Sequence, residues 1–528
     1  MLNRAEMIER LSDTTIVWDM LVIGGGATGV GIAIDAASRG YRVALVEGSD
    51  FGKGTSSRST KLIHGGVRYL QQGHLSLVFE ALRERGRLRQ NAPHLVSDLE
   101  LLVPTFGSAE RWKYRVGLKL YDLLAGRLNF GASRWLSCDE AQRRIPTLRT
   151  EGLRGAVLYH DGQFDDARLL IAMACTAAEQ GATLANYVSV VRLAKSDAGQ
   201  VNGAHVLDHE SGREWMVQAR VVINATGPFA DSVRAFDDPT SRPMIAPSQG
   251  IHLVLDRDFL PGDAALLVPK TRDGRLMFAI PWHNATLIGT TDTQVDESDG
   301  ILLEPKARDD EIDFLLETTA GYLTREPTRR DIRSVFAGIR PLVRSDMVKK
   351  TAKLARDHVI RTSTSGLVTI AGGKWTTYRH MAEKCVDQAA KLGGLAACGC
   401  RTHDLPLHGA TDDAPPRAAW RVYGTDAALI GELAAADSAL AEMLHPRLSL
   451  TAAEVVWAAR HEMARTVDDV LARRSRGLLL DASAAIEAAP SVANWLSREL
   501  GRDAAWQAEQ VRAFTSIAAD YSIGNGAS

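Results

Sequence analysis

The sequence predicts an α/β protein built from three parts: a parallel-sheet domain, a domain on an antiparallel sheet and an all-α carboxyl-terminal domain. Three observations support this prediction. A strand, a glycine-rich turn, a helix and a second strand follow one another between residues 18 and 47. Short apolar segments separated by turn residues fill the region from about 245 to 345, and helical periodicity dominates from about 400 onward.

Length and composition agree with a folded protein of several domains. The 528 residues correspond to three domains at roughly 100–200 residues each. A hydrophobic fraction of 45% and a charged fraction of 24% are ordinary for globular proteins, which excludes intrinsic disorder. The net charge of -2 argues against broad nucleic-acid binding, because that activity requires a large excess of Lys and Arg. We therefore expect no nucleic-acid partner.

The cysteines and the amino terminus indicate a reducing compartment. The five cysteines lack the paired spacing of a disulfide framework or a zinc site, so we expect free thiols and no metal. Residues 1–19 lack the apolar core of a signal peptide, and no segment contains ~18 uninterrupted apolar residues. These features predict the cytoplasm, or the cytoplasmic face of a membrane.

The first β-α-β unit carries the pattern of a dinucleotide site. Its strands read WDMLVI (18–23) and YRVALVE, which ends at Glu47. Between them, Gly24, Gly26 and Gly29 form G-x-G-x-x-G, which allows a tight turn, backbone approach to a pyrophosphate and close helix packing. The helix amino terminus then presents N–H groups to phosphates. A carboxylate at Glu47 can accept hydrogen bonds from a ribose diol and would repel a 2′-phosphate, which argues against NADP.

Later segments return to the same sheet pattern. Residues 166–180 have helical character, and the strands RVVINATG (220–227) and GLVTIAG (366–372) each end in glycine. A predicted helix, GKWTTYRHMAEKCVDQAAK, follows the second of them. Between these segments, HLVL (252–255), RLMFAI (275–280) and TLIGTT (286–291) predict the antiparallel sheet.

The carboxyl-terminal part is predicted to be helical. Pro415 and Pro416 mark a linker, and Thr451 and Glu454 have the spacing of a capping box. Apolar residues then recur at helical intervals, at Val456, Ala459, Met463, Val467 and Val470. The predicted boundaries are 1–95, 150–245 and 346–395 for the nucleotide-binding domain, 96–149 and 246–345 for the second domain, and 396–528 for the helical domain.

Three further features favour FAD over NAD. Residues 55–60 (TSSRST) follow the second strand and offer small hydroxyl groups to a pyrophosphate or a flavin edge. Residues 224–227 (NATG) and 372–374 (GGK) end two distant strands, where small residues let the backbone approach a ligand. A long cofactor lying across the sheet would contact all three segments, whereas NAD in a simple Rossmann domain would not need the last one.

Seven blocks occur in order over residues 18–395: VIGGGATGVGIAIDAASRG, TKLIHGGVRYLQ, GQFDDARL, INATGPFAD, PWHNATLIGTTD, GIRPLV and AGGKWTTYR. With the helical segment EVVWAARHEMARTVDDVLARR, they resemble the FAD-dependent glycerol-3-phosphate dehydrogenases of aerobic respiration. The resemblance implies a FAD-binding Rossmann-like domain of the glutathione-reductase type, an antiparallel-sheet substrate domain that also faces the membrane, and an all-α carboxyl-terminal domain. Trp375 stands where Leu is common in this family.

The fingerprint and these blocks together predict the cofactor-binding residues. They are Gly24, Gly26, Thr28, Gly29, Glu47, Thr55, Ser56, Ser57, His64, Gly65, Gly66, Ala225, Gly227, Gly373, Lys374 and Thr376.

The same resemblance predicts the substrate site. Arg68, Arg340, Arg356 and Lys374 are candidate clamps for a phosphate, whose oxygens a guanidinium binds bidentately. Arg340 and Lys374 are also expected to act in catalysis, where Lys374 would stabilise developing negative charge. His252 resembles a family substrate-site histidine and is the candidate general base, and Tyr69 adds a hydroxyl contact.

The implied reaction is oxidation of sn-glycerol 3-phosphate to dihydroxyacetone phosphate by hydride transfer to flavin N5, with electrons passed to a membrane quinone. Two alternatives stay open: a glycerol-3-phosphate oxidase that uses O₂, and a related FAD-dependent amine or amino-acid oxidase. The latter would need a carboxylate clamp but not several cations, so the HGGVRYL and GIRPL blocks argue against it.

Residues 111–124 (RWKYRVGLKLYDLL) predict how the protein meets a membrane. In a helix, Trp112, Val116, Leu120 and Leu124 share one face, and Arg111, Arg115 and Lys119 share another. Such a helix either lies in the plane of an anionic membrane or packs on its own core. Because the family's quinone-linked members are peripheral membrane proteins, we expect peripheral association with the inner face of the cell membrane. A homodimer is a candidate assembly.

Overall fold

The computed structural model describes residues 2–66, 74–269, 271–272, 274–295, 300–344 and 358–523. The strands are β1 (Val17–Ile23), β2 (Val43–Val46), β3 (Leu62–Ile63), β4 (Val96–Thr105), β5 (Arg134–Leu136), β6 (Gly155–Phe164), β7 (Thr183–Ala185), β8 (Val188–Lys195), β9 (Val201–Asp208), β10 (Glu214–Asn224), β11 (Ile245–Asp256), β12 (Ala265–Val268), β13 (Met277–Trp282), β14 (Ala285–Gly289), β15 (Thr293–Gln294), β16 (Ile332–Val343), β17 (His358–Thr362) and β18 (Val368–Gly372). The α-helices are Arg4–Ser12, Ala27–Ser38, Leu75–Asn91, Ser108–Ala125, Cys138–Arg144, Asp166–Glu179, Ala230–Asp237, Asp309–Ala320, Tyr378–Leu392, Ala427–Ala436, Ala452–His461, Gly477–Leu480, Ala482–Leu500 and Ala504–Ala519.

The first sheet has the order β17-β18-β10-β1-β2-β7 and contains the predicted β-α-β unit. β1 lies parallel to both β2 and β10, and β18 is parallel to β10. The apolar strands are buried because helices Ala27–Ser38 and Asp166–Glu179 pack beside each other against the sheet. Parallel strands place their carboxyl ends along one edge, which brings residues 24–29, 224–227 and 372–374 together.

The second sheet has the order β15-β11-β14-β13-β12-β4-β6-β3 and is largely antiparallel, as predicted. The predicted domain boundaries do not match this sheet at two strands. β3 and β6 belong to it, although both fall within the segments predicted for the first domain. The reason is the ladder between β4 and β6, which runs from Val96 opposite Phe164 to Thr105 opposite Gly155.

The carboxyl-terminal domain is helical, and its capping box is present. The Glu454 carboxylate accepts hydrogen bonds from Thr451 N at 2.8 Å and from Thr451 Oγ1 at 2.9 Å. The apolar residues that recur at helical intervals up to Val470 do not lie on one helix, because helix Ala452–His461 ends before Met463, whose φ is +53°. Within the described ranges, no helix combines the length and apolar content needed to cross a bilayer.

Buried ion pairs join this helical domain to the first sheet. Arg473 and Arg474, from a π-helical segment (Asp469–Arg474), both bind the Asp50 carboxylate in the loop after β2. The next arginine, Arg476, lies 2.7 Å from Asp165, which precedes helix Asp166–Glu179. All five side chains are buried, so the domains share a buried charged interface.

Candidate functional site

The glycine loop after β1 brings three chain segments into contact. Gly24 has φ +109°, and its N–H donates to Val46 O at 2.9 Å. A Cβ on Gly24 would lie 2.8 Å from Ala225 O, so a side chain cannot stand there. The close approach of residues 24 and 225 forms a backbone-lined cradle at the edge of the first sheet.

Glu47 closes the other side of this cradle. Its Oε2 accepts the Gly25 N–H at 2.6 Å, and its Oε1 accepts the Ser49 N–H at 2.8 Å. Burial raises the pKa of Glu47, while these two N–H groups act in the opposite direction. Because each carboxylate oxygen has two lone pairs, Glu47 can hold the loop and still accept a ribose hydroxyl.

A cavity of about 320 Å³ runs along this cradle. Ser56 forms part of its wall, where Ser56 Oγ accepts the Ala27 N–H at 3.0 Å and Ser56 O accepts the Trp375 indole N–H at 2.8 Å. The predicted cofactor residues that line it are Gly24, Gly26, Thr28, Glu47, Thr55, Ser56, Ala225, Gly227, Gly373 and Lys374. A helix amino terminus, a small-residue cradle and a carboxylate are the groups that hold a dinucleotide, so these residues fit FAD.

A second cavity of about 290 Å³ adjoins the first. The two share a wall that includes Thr55, Pro341, Lys374 and Trp375. Residues on the second sheet form the far side. The predicted site residues that line this cavity are Thr55, His64, Gly66, His252, Arg340, Gly373, Lys374 and Thr376. The structure thus brings the predicted base, His252, and two predicted cations, Arg340 and Lys374, to one cavity beside the dinucleotide cradle.

His252 lies on β11 between β14 and β16. Its imidazole stacks on Phe336 with ring centroids 4.9 Å apart, and a Cβ on Gly289 would lie 2.1 Å from His252 Cδ2. The His252 Nε2 atom is 2.9 Å from Thr60 Oγ1. Burial, and then the positive charges of Lys61 and Arg340, hold the pKa of His252 well below its usual 6.5. The imidazole is therefore neutral near pH 7 and able to accept a proton.

Arg340 is held rigidly on β16. Its guanidinium donates to Thr290 Oγ1 and Thr291 O, each at 2.9 Å, and it lies 3.6 Å from the Asp292 carboxylate. Gly250 makes room for it, because a Cβ there would lie 2.2 Å from Arg340 Nη2. A guanidinium fixed in this way loses little freedom when it binds an anion.

Lys374 follows two glycines with positive φ, Gly372 (+79°) and Gly373 (+78°), and it lines both cavities. A Cβ on Gly373 would lie 2.3 Å from Met381 Sδ. The turn that places Lys374 at the shared wall therefore requires glycine.

Some predicted residues do not line either cavity. Gly29 packs behind the loop, Ser57 O accepts a hydrogen bond from Lys61 Nζ at 2.7 Å, and Gly65 N donates to Tyr121 Oη at 2.7 Å. Arg68, Tyr69 and Arg356 lie outside the described residues, so their roles stay predictions.

Other contributors to the site were not predicted as binding residues. Thr60 fixes His252, the 290–292 segment fixes Arg340, and Lys53 lines the first cavity while its Nζ lies 3.0 Å from Asp468. The hydroxyl-rich run 55–60 was the only sequence signal for Thr60. Nothing in the local sequence pairs Lys53 with a residue more than four hundred positions away.

One cluster of metal-ligand residue types is visible away from the cavities. Donor atoms of Glu383, Cys400 and His403 all lie within 4.8 Å of one another. The Arg379 guanidinium contacts two of them, at 2.9 Å from Glu383 Oε2 and 3.4 Å from Cys400 Sγ. An arginine therefore already supplies the positive charge at this cluster.

Comparisons with known proteins agree with this geometry. Residues 19–379 match the family model described as FAD dependent oxidoreductase, and residues 400–507 match the C-terminal domain of alpha-glycerophosphate oxidase. The chain is 43% identical to the probable mitochondrial glycerol-3-phosphate dehydrogenase of Caenorhabditis elegans, over 94% of this chain and 72% of that protein. It is 41% identical to the human mitochondrial glycerol-3-phosphate dehydrogenase, with the same two coverages.

A solved structure extends the similarity to the whole chain. The glycerol-3-phosphate dehydrogenase of Bacillus halodurans, in complex with FAD, superposes with a TM-score of 0.81 at 28% identity and covers 99% of both chains. The predicted fold class and the predicted cofactor, FAD, are confirmed. Sequence, fold and cofactor cradle together place this chain in the family of FAD-dependent glycerol-3-phosphate dehydrogenases.

Proposed function

We propose that this protein oxidises sn-glycerol 3-phosphate to dihydroxyacetone phosphate and passes the electrons to a membrane quinone. The observation that carries the proposal is that the two cavities share a wall at Lys374. Arg340 and His252 line the second cavity, which therefore lies directly beside the cavity that fits FAD. A small phosphorylated alcohol matches a cavity with two cations for the phosphate and a neutral imidazole for the hydroxyl group.

Each residue has a task in this oxidation. The secondary alcohol gives its hydroxyl proton to His252 while the C–H bond breaks and a C=O double bond forms. FAD, which the cradle at Gly24 and Glu47 would hold, would supply the two-electron acceptor for the hydride that leaves this carbon. Arg340 holds the phosphate so that the reacting carbon stays in position, and Lys374 stabilises negative charge at the shared wall. From the sequence resemblance, we assign Arg68, Tyr69 and Arg356 to the same phosphate.

The helix Ser108–Ala125 supports docking on an anionic membrane at the inner face of the cell. Leu118 and Tyr121 are buried against the core, whereas Trp112 is 63% exposed, Val116 64% and Leu120 38%. These three residues, four positions apart, form an apolar stripe on the outer side of the helix. We name Trp112, Val116 and Leu120 the outer stripe.

The structure changes one member of this predicted face. Leu124, which the sequence placed beside Leu120, packs partly against the core, and Leu123 is 76% exposed instead. The guanidinium of Arg115 lies 5.3 Å from the centre of the Trp112 ring. The side chain of Arg111 is outside the described part of the protein. Aromatic and leucine side chains beside basic ones suit an interfacial helix.

The experiment that tests this function follows the flavin colour of the purified holoenzyme without oxygen. Addition of glycerol 3-phosphate should bleach the oxidised flavin band, whereas glycerol or an amine should leave it unchanged. Bleaching by an amine alone would establish the amine-oxidase alternative, and equal bleaching by glycerol would refute the phosphate clamp.

The acceptor is tested on the reduced enzyme. Vesicles that contain a long-chain quinone should restore the flavin band much faster than air-saturated buffer does. The match of residues 400–507 to a domain named after an oxidase is the reason to include O₂ in this comparison. If O₂ reoxidises the flavin as fast as the quinone, the protein is an oxidase.

A further inference from the structure

A buried lysine lies behind the proposed base. Lys61 has no solvent exposure and does not line either cavity. Its Nζ donates to Ser57 O at 2.7 Å and to the Asp166 carboxylate at 2.7 and 2.8 Å. The remaining side of the ammonium faces two aromatic rings, 5.1 Å from the centre of Trp282 and 5.3 Å from that of Phe336.

The hydrogen bonds around Asp166 favour an ionised pair. Besides Lys61, the carboxylate accepts Ser59 N at 3.0 Å, Ser59 Oγ at 2.7 Å and Ala167 N at 2.8 Å. Protonation of Asp166 would remove at least one of these accepted hydrogen bonds, so the donors around it favour the carboxylate. The Lys61 ammonium has three N–H donors. They serve Ser57 O and the Asp166 carboxylate, and the rings of Trp282 and Phe336 lie on the remaining side.

Phe336 connects this ion pair to His252. The phenyl ring stacks on the imidazole at an interplanar angle of 19° and also lies beside Lys61 Nζ. Among the described residues, the charged groups that face His252 are Lys61, from the loop before β3, and Arg340, from β16. Thr60 presents a hydroxyl, and β14 presents only the backbone of Gly289.

We propose that Lys61 is a positioning residue that keeps His252 uncharged when the anionic substrate is bound. This inference rests on the proposed function of His252 as the base. A phosphate monoester carries a charge of about -1.5 to -2 at pH 7 and would favour a protonated imidazole beside it. Arg340 and Lys374 bind that phosphate, so their positive charges are neutralised. Lys61 does not line the cavity, so its positive charge still opposes protonation of His252.

The geometry of the imidazole agrees with this role. The His252 Nδ1 atom is buried and has no hydrogen-bond partner among the described residues. When the ring carries its hydrogen on Nδ1, Nε2 is the atom that can accept a proton, and it lies 2.9 Å from Thr60 Oγ1. The positive charge of Lys61 opposes a second proton on this ring, so His252 enters the reaction neutral.

The test removes both charges of the pair, so that neither is left alone in the interior. The variant is Lys61→Met with Asp166→Asn, and the measurement is the anaerobic rate of flavin bleaching by glycerol 3-phosphate from pH 5.5 to 9. If the pKa of His252 returns to its usual 6.5 in this variant, only about a tenth of the rings are neutral at pH 5.5, and bleaching there should be about tenfold slower than in the wild type. At pH 9 the two rates should agree within about threefold.

The matched control is Arg168→Met with Glu462→Gln, which removes another buried ion pair that does not line either cavity. Its rate relative to the wild type should not depend on pH. If the ratio for the Lys61 variant is equally independent of pH while FAD stays bound, the proposal is refuted.

A second measurement does not depend on the variant folding. The NMR signal of His252 is identified by its absence from the spectrum of His252→Asn. In histidine-labelled wild-type holoenzyme with excess inorganic phosphate, this signal should not titrate between pH 6 and 9. A midpoint near 7 or above would overturn the role of Lys61. Failure of the proposed function appears differently, as a wild-type flavin that glycerol 3-phosphate does not bleach, and it leaves this titration valid.

Discussion

Gly29 packs so closely on Gly24 that a Cβ atom built on Gly29 would lie 1.9 Å from the Gly24 carbonyl oxygen. Gly24 itself has φ +109° and lies against Ala225. The loop that carries the helix amino terminus is therefore locked between two backbones, and no side chain at position 29 can be accommodated without moving it.

We expect Gly29→Ala to lose FAD. The methyl group would push the loop out of the position in which its N–H groups face the cofactor phosphates. The measurement is the flavin-to-protein absorbance ratio after purification. Gly117→Ala is the control. Gly117 lies in helix Ser108–Ala125, and a Cβ atom there would have no neighbour within 4 Å. Full flavin occupancy in Gly29→Ala would contradict the placement of the cofactor.

Arg340→Ala should leave FAD bound and lower kcat/KM by roughly a hundredfold. The loss combines a charge-assisted contact of about 1.5–3 kcal/mol with the positioning that the rigid guanidinium supplies. The control is Arg333→Ala on the same strand, since Arg333 pairs with Asp256 and Asp481 outside both cavities. Steady-state kinetics with a soluble dye as acceptor checks this, and a loss of less than about threefold would remove Arg340 from the site.

Replacement of the outer stripe by serine should release the protein from anionic vesicles. Each residue loses apolar surface that would enter the interface, and the buried side of the helix is untouched. Dye-linked turnover should stay unchanged, while turnover with quinone in vesicles should fall. The control replaces three exposed apolar residues elsewhere, Phe236, Leu429 and Met443, with serine. Equal vesicle binding by both variants would show that the stripe does not contact the membrane.

Stability should depend on pH through His408. Burial lowers its pKa, but hydrogen bonds and charges from Asp426 and Glu179 more than offset this and raise the pKa to about 9. Because the folded pKa exceeds the unfolded value, the stabilisation is complete below about pH 6.5 and is lost as pH rises through 9. Its size at pH 6 is about 3 kcal/mol at most.

The measurement is the difference in Tm between the wild type and His408→Gln. The wild type should melt a few degrees higher at pH 6, and the difference should shrink towards zero at pH 10. His209→Gln, on a different part of the surface, serves as the control. A difference that grows with pH would contradict the ion pairs assigned to His408.

The sequence was most informative where a local pattern determines the geometry. The glycine loop and Glu47 could be predicted because their spacing within one β-α-β unit fixes where each backbone and carboxylate lies. The capping box at Thr451 was predictable for the same reason. The break at Met463 was not, because a non-glycine residue with positive φ gives no signal in hydrophobic periodicity.

Contacts between distant segments could not be predicted in this way. Thr60 and His252 are 192 positions apart, and only the folded sheet brings them together. Lys61 had no assigned role, because a single charged residue beside an apolar strand usually faces solvent. Arg473 and Arg474 lie within the short run ARRSR, where a run of charge commonly indicates a solvated surface, yet both are buried on Asp50.

That contact with Asp50 has a consequence for how the protein is made. Asp50 and Arg473 are 423 positions apart. At about 5–20 residues per second, the ribosome needs roughly 20–80 s to travel from one to the other. During this interval the loop beside the glycine turn has been synthesised, but the two arginines that neutralise its buried carboxylate have not. The amino-terminal segment of the FAD cradle is thus synthesised first, but its buried contacts form only once the arginines are made. We therefore expect flavin to bind at the end of translation or after it.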